Sequence, residues 1–314
     1  MMTNMKRIVI TGPTGAIGIA IIEQMIKRGI EVLAICNPLS KRSYRLPESS
    51  LIKIIRCDLN DLNKLNLKNN QPYDVFYHLG WKGTVGEERN NTFLQNKNVE
   101  NALDAVDLAK KLGCHTFIGV GSQAEYGKAE TNLKADTATN PQTGYGMAKL
   151  CAGMLTRLRC EQIGIRHIWV RVLSVYGPYD NENSMVMSII RKLLLGESPN
   201  TTKGEQLWDY LYSEDAGKAL FLLGLYGRDK AIYCLGSGKA RPIRDYIQDI
   251  RMVINSDIEI NFGAIEYIPG QIMYLCADIA DLKRDTGFYP DTNFIDGIKK
   301  TVMWCKTTMV ESLK

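Results

Sequence analysis

The sequence predicts an α/β protein with a doubly wound parallel sheet. Two observations predict it. Short β-branched runs alternate with amphipathic helical patterns along the first part of the chain, and the first run enters its helix through a glycine-rich turn. No internal repeat or low-complexity linker interrupts the alternation. We therefore expect ligands to bind beyond the carboxyl ends of the strands, as they do in other open parallel sheets.

The glycine-rich turn lies in the segment from Lys6 to Gly18. The run Ile8 to Ile10 stops at Gly12, and the chain then passes Gly15 and Gly18 into a helical pattern. Gly12 can take the positive φ of a sharp turn, Gly15 lets the backbone approach a ligand, and Gly18 lets the helix pack against its strand. The free N–H groups of that helix suit a pyrophosphate, although an isolated glycine triplet is also compatible with a plain tight turn. The predicted dinucleotide contacts are Gly12, Thr14, Gly15, Ala16 and Ile17.

The composition is that of an ordinary globular protein. Of the 314 residues, 45% are hydrophobic and 23% are charged, which suffices for one large or two modest domains. The net charge of +5 is spread along the chain without a Lys/Arg block, so we expect an anionic small molecule and no nucleic acid as partner. No apolar run approaches the roughly 18 to 20 residues of a membrane span, and because the first predicted strand comes early we expect no signal peptide.

The cysteines and histidines predict neither disulfides nor a metal site. The eight cysteines form no Cys-x-x-Cys pair, and the three histidines lack the spacing of metal ligands. We therefore expect reduced core thiols, no bound metal, no membrane partner and a cytoplasmic location.

The second predicted strand, Glu31 to Cys36, ends where the adenosine ribose of a dinucleotide lies. An NAD-specific site usually has an acidic residue about 20 residues after the glycines, and none is present. Cations and short polar groups take its place, which suits a 2′-phosphate. We predict NADP(H) in preference to NAD(H), with a solvated basic loop as the alternative interpretation. The predicted contacts are Asn37, Ser40, Lys41 and Arg42.

Three further strands continue the alternation, at Leu51 to Arg56, Asp74 to Leu79 and Thr116 to Val120. A helix over Asn96 to Lys111 lies between the last two and carries its apolar residues largely on one side. His78, at the end of one strand, is predicted to be a structural hydrogen-bonding group rather than a catalyst.

A candidate catalytic group follows the strand that ends at Val120. Ser122 comes directly after that strand, and Tyr145 and Lys149 lie at i and i+4 of a helix, so both side chains project from one face. The pKa of an unperturbed tyrosine is about 10, and we expect the Lys149 ammonium to lower the pKa of Tyr145 towards neutrality. Tyr145 is then a general acid/base, and Ser122 hydrogen bonds to the same substrate oxygen.

The Tyr-x-x-x-Lys spacing is common by chance in isolated helices, but here the glycine turn and Ser122 accompany it in chain order. The same helix is expected to run to residue 163 and to bury one apolar face. The residues predicted for that face are Leu150, Met154, Leu155 and Leu158.

The Gly-x-x-Gly-x-x-Gly turn, the serine at a strand end and the Tyr-x-x-x-Lys pair together resemble the extended short-chain dehydrogenase/reductase family, in its NAD-dependent epimerase/dehydratase-like nucleotide-sugar branch. The resemblance implies an NAD(P)-dependent oxidoreductase with a Rossmann domain and a smaller C-terminal α/β substrate lobe. It implies a Rossmann domain at 1–178 and 207–236 and a lobe at 179–206 and 237–314.

The resemblance also implies further contacts. For the cofactor these are Asp58 and Leu59 beside the adenine, Leu79, Gly80 and Trp81 towards the nicotinamide ribose, and Tyr145 and Lys149 themselves. For a nucleotide-sugar substrate they are Lys82, Gln123, Glu125, Arg171 and Ser174.

Two residues reduce the number of reactions expected for this chain. Nucleotide-sugar 4,6-dehydratases of the family carry an Asp-Glu pair directly after the serine or threonine, and Gln123 and Ala124 stand there in this chain. Without an acid for the leaving hydroxyl, dehydration is not expected, whereas a reductase or an epimerase needs only Ser122, Tyr145 and Lys149. The NADP-like loop favours reduction. The leading hypothesis is NADPH-dependent reduction of a nucleotide-activated 4-keto-6-deoxy sugar for cell-surface polysaccharide biosynthesis, similar to the CDP-abequose, CDP-paratose and dTDP-fucose synthases.

Two other functions stay open. A UDP-glucose 4-epimerase-like enzyme with tightly held NAD uses the same residues, and a non-catalytic dinucleotide sensor would share the glycine turn. The resemblance also implies a homodimer in which the helices at 97–111 and 146–163 pack against those of a second copy.

Overall fold

A computed structural model describes residues 5–67 and 71–311 of the chain. Its centre is a parallel sheet, which comprises seven strands within those residues. The sheet strands are β1 (Arg7–Thr11), β2 (Glu31–Cys36), β3 (Ile52–Arg56), β4 (Val75–His78), β5 (Thr116–Ser122), β6 (Arg166–Val172) and, after four short strands outside the sheet, β11 (Ala231–Leu235). The predicted doubly wound α/β fold is confirmed.

The strand order places β1 at a switch in direction. The order is β11-β6-β5-β4-β1-β2-β3, and all neighbours are parallel. From β1 the chain builds outwards first through β2 and β3 and then, in the other direction, through β4, β5 and β6. Such a switch leaves a crevice at the carboxyl ends of the central strands, where ligands bind in open α/β sheets.

Within the described residues, the α-helices are α1 (Ala16–Ile26), α2 (Thr92–Lys111), α3 (Gly144–Ile163), α4 (Met185–Leu194), α5 (Ser213–Tyr226), α6 (Ile243–Ile254), α7 (Ala280–Thr286) and α8 (Phe294–Glu311). The short strands outside the sheet are β7 (Ser174–Tyr176), β8 (Asn200–Thr201), β9 (Leu207–Trp208), β10 (Tyr210–Tyr212), β12 (Arg241–Pro242), β13 (Asn261–Phe262) and β14 (Tyr274–Leu275).

Alternating side chains of the strands build a core on each face of the sheet. Ile8 and Ile10 join the core formed with α1 and α5, whereas Val9 between them joins the core formed with α2. Helices α1 and α5 approach closely because Gly217 has no side chain. A Cβ there would lie 2.6 Å from the carbonyl of Ala20.

Helix α3 corrects one prediction. Met154, Leu155 and Leu158 were expected to be buried, but they are 57%, 39% and 52% exposed. The face that packs inwards instead carries small residues, and a Cβ at Gly153 would lie 2.7 Å from the indole ring of Trp169. Small side chains bring the helix close to the sheet, where the large ring of β6 fills the space. The buried positions are Gly146, Ala148, Lys149, Ala152, Thr156 and Cys160.

A second hydrophobic cluster lies outside the sheet layers. It joins α4, α6 and α8 with Tyr176 and Tyr212, which lie opposite each other in the paired short strands β7 and β10. Residues Leu282 and Phe288, in and just after α7, belong instead to the core against α5 and the sheet. The boundary of the substrate lobe stays a prediction, since part of the range assigned to it packs on the sheet.

Over the described ranges, none of the helices combines the length with the apolar character that crossing a bilayer requires.

Candidate active site

A cleft of about 800 Å³ opens at the carboxyl ends of the central strands. The glycine turn after β1 forms one side, and the ends of β4 and β5 form the floor. The start of α3 forms another side. Among the predicted site residues, the cleft brings together Gly12, Gly15, Ala16, Ile17, Arg42, Leu79, Trp81, Ser122, Tyr145 and Lys149.

The glycine turn fits a dinucleotide. Gly12 has a φ of +69°, and a Cβ there would lie 2.8 Å from the backbone nitrogen of Gly80. At Gly15, by contrast, a Cβ would meet nothing closer than 3.9 Å, so its backbone is open to a ligand. Because α1 begins at Ala16 and no side chain caps it, its first N–H groups are available to a pyrophosphate.

Gly18 acts differently from the prediction. A Cβ at this position would overlap the carbonyl oxygen of Gly12 and the backbone of Pro13. Gly18 therefore lets α1 pack against the turn itself rather than against the strand.

His78 supports the floor of the cleft. Its Nδ1 lies 2.9 Å from the hydroxyl of Thr11, which also accepts a hydrogen bond of 3.1 Å from the backbone of Gly80. Burial lowers the pKa of His78 to about 3, so the ring is neutral at physiological pH. Its contacts agree with the structural role predicted for it.

Ser122 ends β5 and caps a short 3-10 turn over Gln123–Glu125. Its hydroxyl accepts a hydrogen bond from the backbone of Ala124, and the carboxylate of Glu125 accepts one of 2.8 Å from the backbone of Ser122. This reciprocal pair fixes the turn. The Ser122 side chain also lowers the pKa of the Tyr145 phenol, and the two hydroxyl groups predicted to hold one substrate oxygen line the same cleft.

Lys149 lies beneath these hydroxyl groups. Its Nζ donates a hydrogen bond of 2.7 Å to the carbonyl oxygen of Val120 and lies 3.8 Å from the centre of the Trp81 ring. The indole Nε1 of Trp81 donates in turn to Gln95. Both contacts orient the lysine side chain towards the floor of the cleft.

Burial shifts the pKa values of Lys149 and Tyr145 away from those of free side chains. Burial lowers the pKa of Lys149 to about 7, and the carboxylate of Glu125 acts in the opposite direction. Burial raises the pKa of Tyr145, which the hydrogen bond from Ser122 and the charge of Arg89 lower in part. The expectation that Lys149 brings the pKa of Tyr145 towards neutrality is therefore not met by the protein's own groups. For each side chain, removal from water outweighs the effect of the neighbouring charges and hydrogen bonds.

Glu125 and Arg171 correct a second prediction. Both were expected to contact substrate, but Glu125 is 0% and Arg171 4% exposed. The carboxylate of Glu125 accepts a hydrogen bond of 2.7 Å from Nε of Arg171 and further bonds from the indole of Trp169. The pair lies below Ser122 and leaves no surface for a sugar.

Lys82 is also engaged elsewhere. Its Nζ donates bonds of 2.8 and 3.0 Å to the carboxylate of Asp58, which Asn37 also contacts. Burial opposes the ionisation of Asp58, but the hydrogen bonds from Lys82 and the backbone lower its pKa overall. Lys82 thus forms an ion pair with Asp58, the residue predicted to lie beside the adenine, and its contact with substrate stays a prediction.

The other predicted contacts lie around the cleft without lining it. Ser40 caps the short 3-10 turn at Lys41–Arg45, whose Lys41 is exposed. Leu59 packs against Gly80, and Ser174 accepts a hydrogen bond from the indole of Trp208. The residues of this group are Thr14, Asn37, Ser40, Lys41, Asp58, Leu59, Gly80, Lys82, Gln123, Glu125, Arg171 and Ser174.

The prediction missed two groups that line the cleft. Arg45 lies one 3-10 turn after Arg42, and its guanidinium is 5.5 Å from the centre of the Tyr179 ring. The segment from Tyr179 to Asn183 lies opposite, and Tyr179 has a φ of +66°. The three-residue spacing of the arginines could have been recognised in the sequence. The positive φ of Tyr179 could not, because no local sequence pattern indicates it.

Comparison with known proteins finds a matching family, related sequences and related structures. The model of the NAD dependent epimerase/dehydratase family matches residues 8–236. CDP-abequose synthase of Salmonella typhimurium is 26% identical over 95% of this chain and 98% of its own length. A solved structure of UDP-N-acetylglucosamine 4-epimerase from Methanobrevibacter ruminantium M1, in complex with UDP-N-acetylmuramic acid, has a TM-score of 0.87 at 26% identity. It covers 97% of this chain and 99% of its own.

Longer proteins match as well. A trifunctional UDP-glucose 4,6-dehydratase/UDP-4-keto-6-deoxy-D-glucose 3,5-epimerase/UDP-4-keto-L-rhamnose-reductase of Arabidopsis thaliana is 25% identical over 95% of this chain and 47% of its own length. The chain thus spans about half the length of several curated relatives that it matches.

The buried ion pair below Ser122 yields a prediction. Glu125→Gln leaves the charge of Arg171 buried without its counter-ion, and we expect a loss of about 3 to 5 kcal/mol in the free energy of unfolding, measured by chemical denaturation. The matched control is Glu100→Gln, which breaks an exposed pair with Lys97 and leaves the free energy nearly unchanged. Equal stability of the two variants would contradict a structural role for the pair.

Proposed function

Because the chain belongs to the NAD dependent epimerase/dehydratase family, we propose that it uses NADPH to reduce the C4 carbonyl of a nucleotide-activated 4-keto-6-deoxy sugar for cell-surface polysaccharide biosynthesis. The observation that carries the proposal is that Ser122, Tyr145 and Lys149 line one side of a cleft whose other side is the glycine turn. The match to CDP-abequose synthase over nearly its whole length supports this reaction class.

The chain's own residues provide the proton chemistry. A bound nicotinamide dinucleotide supplies the hydride. Tyr145 donates a proton to the oxygen that gains negative charge, and Ser122 holds the same oxygen by a hydrogen bond. Lys149, whose pKa burial lowers to about 7, can exchange a proton near physiological pH and so restores the proton of the phenol.

The residues beside Ser122 support reduction over dehydration. Gln123 and Ala124 provide no carboxylic acid to protonate a leaving hydroxyl. The nearest carboxylate along the chain, that of Glu125, is fully occupied by Ser122, Trp169 and Arg171 in the interior.

A 4-epimerase is the second candidate. The observation that favours it is the likeness to UDP-N-acetylglucosamine 4-epimerase over almost the whole of both chains. An epimerase oxidises and re-reduces the same carbon, so it uses the same hydroxyl pair and consumes no cofactor.

NADP(H) is the proposed cofactor, with NAD(H) as the alternative. Arg42 and Arg45 line the cleft from one short helical turn and supply two permanent positive charges. A 2′-phosphate offers the acceptor oxygens that such guanidinium groups recognise.

Turnover distinguishes the two candidate reactions. With a CDP- or dTDP-4-keto-6-deoxyhexose we expect one NADPH consumed per sugar reduced, and Tyr145→Phe should lower kcat by at least about 100-fold because the proton donor is lost. Tyr226→Phe, which alters an exposed tyrosine, is the control. Isomerisation of a nucleotide sugar without net oxidation of the cofactor would establish the epimerase instead, and full activity of Tyr145→Phe would contradict both.

Cofactor choice is tested separately. Arg42→Ser removes a charged donor, and we expect the Kd for NADPH to rise about tenfold with little change for NADH. Nicotinamide fluorescence measures both constants. Lys53→Gln, which removes an exposed cation from β3, should change neither. A wild-type protein that binds NADH more tightly than NADPH would refute the preference.

A homodimer is the proposed assembly. Met147, Met154, Leu155 and Leu158 lie on one exposed stripe of α3 at helical spacing, in a helix that packs beside α2. A contiguous exposed apolar stripe is typical of a protein interface. The cytoplasmic location stays a prediction from the reduced cysteines.

Light scattering tests the assembly. The wild-type protein should have twice the mass of one chain, and Leu155→Lys should have the mass of one chain because a charge is placed within the apolar stripe. Met252→Lys, at an exposed methionine of α6, should remain dimeric. A monomeric wild type would remove the proposal.

A further inference from the structure

The segment from Trp81 to Asn91 crosses over the start of α3 and contacts the catalytic tyrosine. The guanidinium carbon of Arg89 lies 4.4 Å from the centre of the Tyr145 ring, and the ring of Trp81 meets the same ring edge-on at 6.3 Å. The phenol therefore has a cation on its face and an indole at its edge. Both come from a loop about sixty residues earlier in the chain.

Several hydrogen bonds hold this segment in place. The side-chain amide of Gln95 donates to the carbonyl oxygens of Gly83 and Glu88, at 2.7 and 3.0 Å. The backbone nitrogen of Gly144, at the start of α3, donates to the Asn90 side chain. Arg89 itself donates a 2.8 Å bond from Nη1 to the carbonyl oxygen of Thr84. The bond to Thr84 holds the guanidinium itself, and the bonds at Glu88 and Asn90 hold the chain on either side of Arg89.

The charged groups that face Tyr145 come from three elements. Arg89 comes from this segment, Lys149 from α3 and Glu125 from the turn after β5. Lys149 Nζ is 5.9 Å from the ring centre and is directed to Val120 and Trp81. Burial lowers the pKa of Lys149 to about 7, so its charge is incomplete at neutral pH. An arginine stays charged throughout.

We propose that Arg89 is a positioning residue for Tyr145. Its guanidinium holds the phenol ring beside Ser122 and provides the permanent positive charge that accompanies the phenolate formed when Tyr145 gives up its proton. This deepens the proposed function by assigning a partner to its proton donor, and it rests on that function only for the role of Tyr145.

The test measures ionisation of Tyr145 in the protein itself, without substrate. The chain is labelled with 3-fluorotyrosine, whose phenol ionises at lower pH than tyrosine because fluorine withdraws electron density, and titrated by fluorine NMR. The chain has 15 tyrosines, and the resonance lost in Tyr145→Phe identifies the one of interest. The variants are Arg89→Gln and Arg89→Lys. The matched control is Arg244→Gln, because Arg244 stacks on Phe262 at 4.7 Å in another part of the chain.

We expect Arg89→Gln to raise the pKa of the Tyr145 phenol by at least roughly 0.5 pH unit, because a positive charge beside the phenolate is lost. Arg89→Lys should keep the pKa of Tyr145 close to that of the wild type, because lysine retains a positive charge. Arg244→Gln should leave the titration of Tyr145 unchanged. If the side chain only tied the loop down, glutamine could replace the bond to Thr84 and lysine would offer no advantage.

Two results would overturn the proposal. One is an unchanged titration of Tyr145 in Arg89→Gln, and the other is a shift in Arg89→Lys equal to that in Arg89→Gln. Neither depends on which sugar the protein reduces or isomerises. The titration is measured without substrate, so it would give the same result if the proposed reaction were wrong. Failure of the Arg89 proposal and failure of the proposed function can therefore be distinguished.

Discussion

The carboxylate of Glu125 is the point on which the arrangement of the site depends. It accepts hydrogen bonds from the backbone of Ser122 at the edge of the cleft and, in the interior, from the indole of Trp169 and the guanidinium of Arg171. One buried charge therefore ties the end of β5 to the side chains of β6. A buried carboxylate requires this degree of satisfaction, because an unpaired charge in the interior is strongly destabilising. Ser122 keeps its place as a consequence.

The other parts of the site are arranged around that fixed strand end. Small residues on α3 bring the helix near the sheet, so that Lys149 reaches the carbonyl of Val120 and Tyr145 reaches Ser122. The glycine turn lies across the cleft because β1 and β4 are neighbours at the switch in strand direction. Burial then shifts the pKa of both Tyr145 and Lys149. The surroundings of the phenol therefore influence its ionisation.

The sequence was sufficient for features with local signals. The alternation of strand and helix patterns predicted the sheet, the glycine spacing predicted the turn, and the four-residue spacing predicted that Tyr145 and Lys149 share a face. The resemblance to the nucleotide-sugar branch is confirmed by family membership, and with it the expectation that the chain is an enzyme.

Features that arise from tertiary packing were not predictable. Apolar spacing alone did not reveal that the inward face of α3 carries small residues, nor that Glu125 and Arg171 pair below the surface. Arg89 reaches Tyr145 from a distant loop, which no local pattern indicates.

We propose that Tyr145 and Ser122 converge on one oxygen of a nucleotide-activated sugar. A crystal structure of the protein with NADP⁺ and the 4-hydroxy product would show this contact. We expect the C4 oxygen to lie within about 2.6 to 3.2 Å of both hydroxyl groups. A sugar bound in the cleft with that oxygen more than about 3.5 Å from the Tyr145 hydroxyl, and with no water between them, would contradict it.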